Sequence, residues 1–171
     1  MDLKQQIIST IDEFYTNCVG EFREAEAQIA LDSQFRRLFK KKNYAGNIAL
    51  LHRCRKRALG LRFPKEQLPE ADSPEKELVQ QCEECIRRFI ELCDSYTSLQ
   101  TALEKKAEGE DVSYREYNKI YKKTKEHHAS VNRSLHELDI LYAEYVEEEG
   151  GASGGGSGEF LTYDDILRGE D

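Results

Sequence analysis

The sequence predicts an all-α protein, an elongated antiparallel helical bundle with three long helices, one or two short ones and a tethered C-terminal helical peptide. Two observations lead to this fold class. Apolar residues recur every three or four positions over stretches of about 30 residues, the period of a helix with one buried face. The chain is 39% hydrophobic and 34% charged, with three prolines and no tryptophan, which is typical of long amphipathic helices.

The first helix is predicted from Leu3 to about residue 31. Asp32 or Ser33 is expected to cap a separate short helical piece that continues to Phe39. Residues 43–47 contain asparagine and glycine, which are typical of turns. The apolar stripe of the first helix comprises Leu3, Ile7, Ile11, Phe14, Cys18, Phe22, Ala25 and Ile29.

A second, short helix is predicted from about Ile48 to Gly60. Its apolar residues are Leu50, Leu51 and Cys54, and glycine is a common residue just past a helix end. We expect the following stretch, which contains two prolines, to be a loop.

The third helix begins with a strong capping signal. Ser73 can accept a hydrogen bond from a free helical N–H, and Pro74 suits the first helical position because it lacks that donor. The helix is expected to end near Gly109. Its stripe comprises Leu78, Cys82, Cys85, Phe89, Cys93, Tyr96, Leu99 and Leu103.

The fourth helix is predicted from the capping-box pattern of Ser113 and Glu116 to about Glu148. Short connections between successive helices make antiparallel packing the expected arrangement. The stripe comprises Tyr117, Ile120, Thr124, His128, Val131, Leu135, Leu138, Tyr142 and Tyr145.

A run of glycine and serine at residues 150–158 separates two different parts of the chain. Such a run has no hydrophobic face and behaves as flexible coil. It is followed by Glu159 and Phe160, a pair common at cloning sites, so the run is typical of an engineered linker. We therefore divide the chain into a helical bundle interaction domain at 1–149, the Gly/Ser linker at 150–158 and a fused acidic amphipathic peptide ligand at 159–171.

Composition bounds the class of protein. A domain of about 150 residues suits a single core. Five cysteines, an odd number at irregular spacing, are typical of free thiols, so we expect a cytoplasmic or nuclear protein. The sequence shows neither a secretory leader nor a span of about 20 apolar residues. A net charge of −8 argues against non-specific binding of nucleic acid.

Residues that could carry chemistry are better interpreted as packing residues. Cys82 and Cys85 have metal or redox spacing, but both fall on the apolar stripe of the third helix. His127 and His128 point about 100° apart on a helix and cannot share a metal comfortably. We interpret the tyrosines as amphipathic packing residues rather than a stacking platform for bases. No catalytic residue set, metal site or cofactor is predicted, and we expect a protein that is not an enzyme.

A basic segment extends between Asp32 and Glu66, where eleven basic residues occur and no acidic one. It is either a solvated surface balanced by acidic residues such as Glu144 and Glu147, or an acceptor for an acidic ligand. A membrane- or nucleic-acid-binding role for residues 36–65 is the competing alternative. The acceptor patch is predicted at Arg53, Arg55, Lys56, Arg57, Arg62 and Lys65.

The C-terminal peptide carries signals for a short helix. Thr162 can cap it, Asp165 stands at the box position, and Gly169 marks the stop. Five carboxylates against Arg168 give residues 159–171 a net charge of −4. The expected anchors on the ligand are Phe160, Leu161, Tyr163, Ile166 and Leu167, with Asp164 and Asp165 as its acidic residues. The segment 161–166 also fits permissive tyrosine-based inhibitory and sorting motifs.

These patterns favour a non-catalytic scaffold or adaptor whose bundle binds a short acidic helical motif of a second protein in a groove. Hydrophobic anchors would supply affinity, and the basic segment would supply orientation and association rate. The linker spans at most roughly 30 Å, so a peptide bound to its own chain is expected near the end of the fourth helix and the start of the third at Ser73. The basic run from Arg53 to Lys65 precedes Ser73 closely in sequence, so the peptide is predicted to lie near that run.

Overall fold

The computed structural model describes residues 2–35 and 43–147, and this part of the chain is a bundle of four helices. The first helix consists of α1 (Leu3–Glu13), a π-helical segment (Phe14–Val19) and α2 (Gly20–Phe35). It is followed by α3 (Tyr44–Gly60), a 3-10 turn (Lys65–Gln67), α4 (Pro74–Ala107) and α5 (Tyr114–Glu147). The predicted all-α class is confirmed, with three long helices and one short one among the described residues.

The predicted helix starts at Ser73 and Ser113 are confirmed by their hydrogen bonds. Ser73 Oγ accepts a bond from the Lys76 N–H at 3.2 Å, and Ser113 Oγ accepts one from the Glu116 N–H at 3.1 Å. Each serine thereby satisfies a donor that the first helical turn leaves without a backbone partner.

The boundaries of the first two helices differ from the prediction. Asp32 and Ser33 do not start a separate piece, because α2 continues through them to Phe35; no proline or glycine interrupts it after Gly20. The second helix begins at Tyr44 rather than at Ile48, so residues 43–47 are not a turn.

Asn43 explains the earlier start of α3. Its Oδ1 accepts a hydrogen bond from the Gly46 N–H at 3.0 Å, which makes it the N-cap. A Cβ atom at Gly46 would stand only 2.3 Å from Asn43 Nδ2, so glycine lets the cap side chain approach the helix. The asparagine and glycine that suggested a turn are the parts of a helix cap.

The helices alternate in direction, as predicted. α5 runs against the first helix, because Tyr142 bonds Asp12 while His128 bonds Glu26. The same reversal relates α3 to α4. Arg55 pairs with Asp94, and the earlier residue Asn47 pairs with the later residue Gln100.

The centre of the core, which we call the aromatic region, is built around Phe14, Phe22 and Phe89. All three rings are fully buried, and Phe89 meets the edges of Phe14 and Phe22 at centroid distances of 5.7 and 5.3 Å. The buried thiols Cys18, Cys54, Cys82, Cys85 and Cys93 belong to the same core cluster. Burial of these side chains is the main force that holds the four helices together.

One turn further along α2, hydrogen bonds replace apolar contacts. Glu26 is only 3% exposed, and its Oε1 lies 2.9 Å from both the Tyr96 hydroxyl and His128 Nε2. Asn132 Nδ2 stands 3.4 Å from the other ring nitrogen of His128. These four residues form what we call the polar cluster, and it joins α2, α4 and α5 in the interior.

Candidate interaction surface

The basic residues predicted in the acceptor patch lie mainly on α3. Its buried side is formed by Tyr44, Asn47, Leu51, Cys54 and Ala58. Helical spacing therefore turns the positively charged residues of its second half away from the core. Arg53, Lys56 and Arg57 are exposed, and α3 itself contains no acidic residue.

Two rows of ion pairs flank the outward face of α3. On one side Arg53 and Arg57 both pair with Glu21 of α2, the Arg53 Nε lying 3.5 Å from Glu21 Oε2. On the other side Arg55 Nε binds Asp94 of α4 at 2.7 Å. Partly exposed pairs of this kind contribute little stability, about 0–1 kcal/mol each. They do fix the orientation of the guanidinium groups at the margins of the helix.

Between the two rows lie Lys56 and Leu59, three residues apart on the solvent side of α3. Lys56 forms no ion pair with any described residue. Leu59 is 44% exposed, one of few large apolar side chains that the described surface presents to water. Arg62 folds back over the helix end, where its Nη1 donates to the Leu59 and Leu61 carbonyls at 2.6 and 2.7 Å. The apolar side chain of Leu59 thus lies among positively charged side chains. We use the term α3 surface for Arg53, Lys56, Arg57, Leu59 and Arg62.

Ion pairs neutralise only part of the positive charge. The six predicted acceptor residues engage three carboxylates, since Lys65 pairs with Glu83 at 2.8 Å and the other two are Glu21 and Asp94. Within the part of the chain that the structure describes, the local excess is therefore three positive charges. Among the described residues no ion pair joins the patch to Glu144 or Glu147, and the acidic residues that partly balance it are Glu21, Glu83 and Asp94. The reason is the topology, which places α3 beside α2 and α4.

The end of α5 and the end of the α3 surface lie at the same end of the bundle. Lys4 Nζ stands over the Tyr145 ring at 4.8 Å, and Thr10 Oγ1 lies 3.4 Å from the Arg62 carbonyl oxygen. Six residues of one helix separate Lys4 from Thr10, which is about 9 Å along its axis. A chain leaving α5 therefore starts near the level of Arg62.

The thiols are poor candidates for reactive or metal-binding groups. Burial raises the pKa of Cys18 and Cys85 to about 12 and that of Cys54 to about 11, and it holds the pKa values of Cys82 and Cys93 well above their usual range. The thiolate is the nucleophile and the metal ligand, so these side chains are unreactive while the protein is folded. Within residues 2–35 and 43–147, no group of histidine, cysteine and acidic residues has an arrangement suited to a metal ion.

The adjacent histidines have separate partners, as their helical spacing predicts. His127 Nδ1 approaches Glu91 at 3.6 Å, whereas His128 enters the polar cluster. Among the tyrosines, Tyr145 is buried and Tyr142 is half-buried with its hydroxyl donating to Asp12 at 2.7 Å. Tyr114 is 77% exposed and does not join the packing stripe.

An open depression of about 460 Å³ lies at the start of α4. Its polar lining mixes carboxylates with one lysine, and Lys76 Nζ already contacts the Glu70 carbonyl at 3.1 Å. This composition gives no net preference for an acidic ligand. The lining residues are Asp72, Ser73, Pro74, Lys76, Glu77 and Gln80.

Sequence reasoning missed two features of this molecule. Leu59 is not among the apolar residues named for the predicted second helix, and it falls off the stripe that runs through Leu51, Cys54 and Ala58. Glu26 is a charged side chain in the interior, so an apolar pattern does not identify it, although it lies four residues after Phe22 and three before Ile29. The predicted ligand residues Phe160, Leu161, Tyr163, Asp164, Asp165, Ile166 and Leu167 lie outside the described residues, as do the linker and residues 36–42 of the basic segment.

In comparisons with known proteins, no family model, curated protein or solved structure matches the chain. None of the described helices combines the length and the apolar character needed to cross a bilayer. The residues and their geometry are thus the basis for a functional assignment.

Proposed function

We propose that the bundle is a non-catalytic protein-interaction module that binds a short acidic amphipathic helix on the α3 surface. The observation that supports this most directly is the exposed Leu59 between cations whose charge the described carboxylates do not fully neutralise. An apolar anchor with a charged rim is the usual design of a peptide-binding site.

The segment 159–171 has the complementary chemistry. Its apolar residues include Ile166 and Leu167, which lie next to each other and can contact one partner surface, and its net charge is −4. A helix that lies along α3 could place apolar residues on Leu59 while its carboxylates face Lys56 and Arg62. Affinity would come from the apolar contact, and the charges would orient the ligand and speed its association.

Isothermal titration of a synthetic 159–171 peptide into a chain that ends at residue 149 tests the proposal. The described core lies between Ile7 and Tyr145, so this shortened chain retains it. We expect binding in the micromolar range, about −8 kcal/mol at 1 µM, and no detectable binding of a peptide with Ile166→Ala and Leu167→Ala. A scrambled peptide of the same composition controls for charge alone, because it keeps the −4 but loses the helical pattern.

Matched charge reversals locate the site. Arg53→Glu with Lys56→Glu is expected to weaken peptide binding at least tenfold, which is about 1.4 kcal/mol. Lys122→Glu with Lys123→Glu makes the same change on an exposed part of α5 and should have little effect. Equal weakening by both pairs would mean that overall charge, not the α3 surface, controls binding.

The competing assignment to a membrane or nucleic acid predicts a different result. Binding through phosphate groups would show retention on anionic liposomes or oligonucleotides, with affinity that falls steeply as salt increases. It would also be insensitive to Leu59→Ser, whereas the peptide-binding proposal expects this substitution to weaken the interaction clearly.

A further inference from the structure

We infer that residues 159–171 of the same chain occupy the α3 surface, so that the tail is a built-in competitor of any partner that carries a similar motif. This inference rests on the proposed function and adds regulation of the same site. Three observations point to residues 159–171 as the occupant. They are the position where the described chain ends, the distance that the following residues can span, and the opposite charges of the tail and the α3 surface.

The tether is long enough. Thirteen peptide units join Glu147 to Phe160, and at 3.3–3.6 Å each they span roughly 45 Å when fully extended. α5 ends beside the first turns of α1, at the same end of the bundle as Arg62. Leu59 lies about one helical turn from Arg62, so a tail that starts near this level and spans roughly 45 Å can reach the α3 surface.

Charge selects this face over its neighbours. The tail carries −4, and the acceptor residues keep an excess of three positive charges after pairing with Glu21, Asp94 and Glu83. The outer side of α4 offers less free positive charge, because its arginines already pair with carboxylates. Arg87 and Arg88 both pair with Glu84, and Arg87 also pairs with Glu91. The depression at the start of α4 adds Asp72 and Glu77, which would repel the tail. Among these surfaces, the α3 surface is the one that combines cations with an exposed apolar anchor.

Tethering changes the affinity that an external partner experiences. A short flexible linker holds its ligand at a local concentration of about 1 mM. For a free motif with a Kd of about 10 µM, a tethered copy at that concentration would raise the apparent Kd about 100-fold. The intact chain would consequently bind its partner poorly until the tail is displaced or removed.

Fluorescence anisotropy of a labelled synthetic 159–171 peptide tests this inference with full-length chains. The receptor is either the unchanged chain or a variant whose tail is disarmed by Ile166→Ala and Leu167→Ala. We expect half-saturation of the disarmed chain at a protein concentration about 100-fold lower than for the unchanged chain. A chain with Ser153→Ala and Ser157→Ala, which alters the linker but not the motif, is the matched control and should behave like the unchanged chain.

The outcomes separate the two proposals. Equal affinity of the peptide for the unchanged and disarmed chains would overturn occupation by the tail and leave the peptide-binding function standing. Absence of binding to either chain would overturn both. Sedimentation velocity between 1 and 100 µM adds a second criterion. A monomer at all concentrations, together with the 100-fold difference in affinity, supports binding within one chain, and a tail-dependent dimer would show that the tail binds a second copy instead.

Discussion

Around Phe14, Phe22 and Phe89 the interior of the bundle consists of aromatic rings and thiols, whereas one turn further along the same helices Glu26 forms hydrogen bonds in the interior. The two regions are in direct contact, because the ring of Phe22 lies 5.6 Å from that of Tyr96. Where they meet, burial is nearly complete in both, since Phe22 is fully buried and Glu26 and Tyr96 are each 3% exposed. They therefore differ in the kind of interaction and not in the degree of exclusion from water.

This difference indicates that one region mainly stabilises the fold and the other mainly fixes how the helices are aligned. Apolar burial has no direction, so the aromatic region alone would tolerate helices that slide past one another. The polar cluster does not, because a shift of α2 against α5 would leave the Glu26 carboxylate and His128 buried without partners, which is costly. We therefore expect the aromatic region to supply most of the free energy of unfolding and the polar cluster to fix the register of α2, α4 and α5.

The largest expected effect is a loss of stability in alkali caused by the five buried thiols. Above pH 9 the unfolded chain loses thiol protons, while the folded chain keeps them. Burial raises the pKa to about 11 for Cys54 and to about 12 for Cys18 and Cys85, and it holds the pKa values of Cys82 and Cys93 well above their usual range. The stability that the thiols contribute is therefore complete below about pH 9 and falls between pH 9 and 11. The maximum slope is about 1.4 kcal/mol per pH unit for each thiol, or about 7 kcal/mol per pH unit for all five. Urea unfolding at several pH values measures this slope.

Cys54→Ala provides the internal control for that measurement. Removing one of the five groups should reduce the alkaline slope by about 1.4 kcal/mol per pH unit. An unchanged slope would mean that Cys54 ionises equally well in the folded and unfolded chain, contrary to its burial.

The next largest effect concerns the centre of the aromatic region. Phe89→Ala is expected to lower the free energy of unfolding by about 3–5 kcal/mol, because it removes a fully buried ring and leaves a cavity between Phe14 and Phe22. Tyr114→Ala, at an exposed position, should change it by less than about 0.5 kcal/mol. Similar losses for the two variants in denaturant titrations would contradict the assignment of the core.

A smaller effect is expected in the polar cluster. Tyr96→Phe removes the hydroxyl that donates to Glu26, at a cost of about 1.5–3 kcal/mol for a bond to a charged group. Replacing three of the four residues with Glu26→Leu, Tyr96→Phe and His128→Leu should restore most of that stability, since a buried ionic group often contributes nothing net. A triple variant much less stable than Tyr96→Phe would show that the cluster stabilises the fold, and the division between the two regions would be wrong.

The smallest effect lies at the surface. Arg55→Ala should change the free energy of unfolding by about 0–1 kcal/mol, because the pair with Asp94 is partly exposed and screened by solvent. A double-mutant cycle with Asp94→Ala measures the coupling. A coupling energy above about 2 kcal/mol would mean that the ion pairs beside the α3 surface contribute substantially to the stability of the fold.

Periodicity predicted the aromatic region well and the polar cluster poorly. Apolar stripes identify which side of a helix is buried without any knowledge of its neighbours, so the positions of Phe14, Phe22 and Phe89 were predictable. The burial of Glu26 depends on a hydroxyl and an imidazole 70 and 102 residues away, and a local pattern cannot reveal them.

The candidate site, too, was predictable only in part. Composition identified the basic residues, but their counter-ions Glu21, Asp94 and Glu83 depend on which helices are neighbours. The predicted start of α3 was wrong because asparagine and glycine are common both in turns and at helix caps. The hydrogen bond between Asn43 and Gly46 shows that these residues form a cap. The part played by the tail remains a prediction.

The central claim, that the acidic tail binds the α3 surface of its own chain, is tested most directly by paramagnetic relaxation from a nitroxide at Ser157→Cys. The label can be attached selectively, because the native thiols described above are buried and remain protonated near neutral pH. We expect the amide signals of Lys56 and Leu59 to broaden in dilute solution while those of Lys122 and Lys123 stay sharp. Sharp signals at Lys56 and Leu59, or equal broadening at all four residues, would contradict the account.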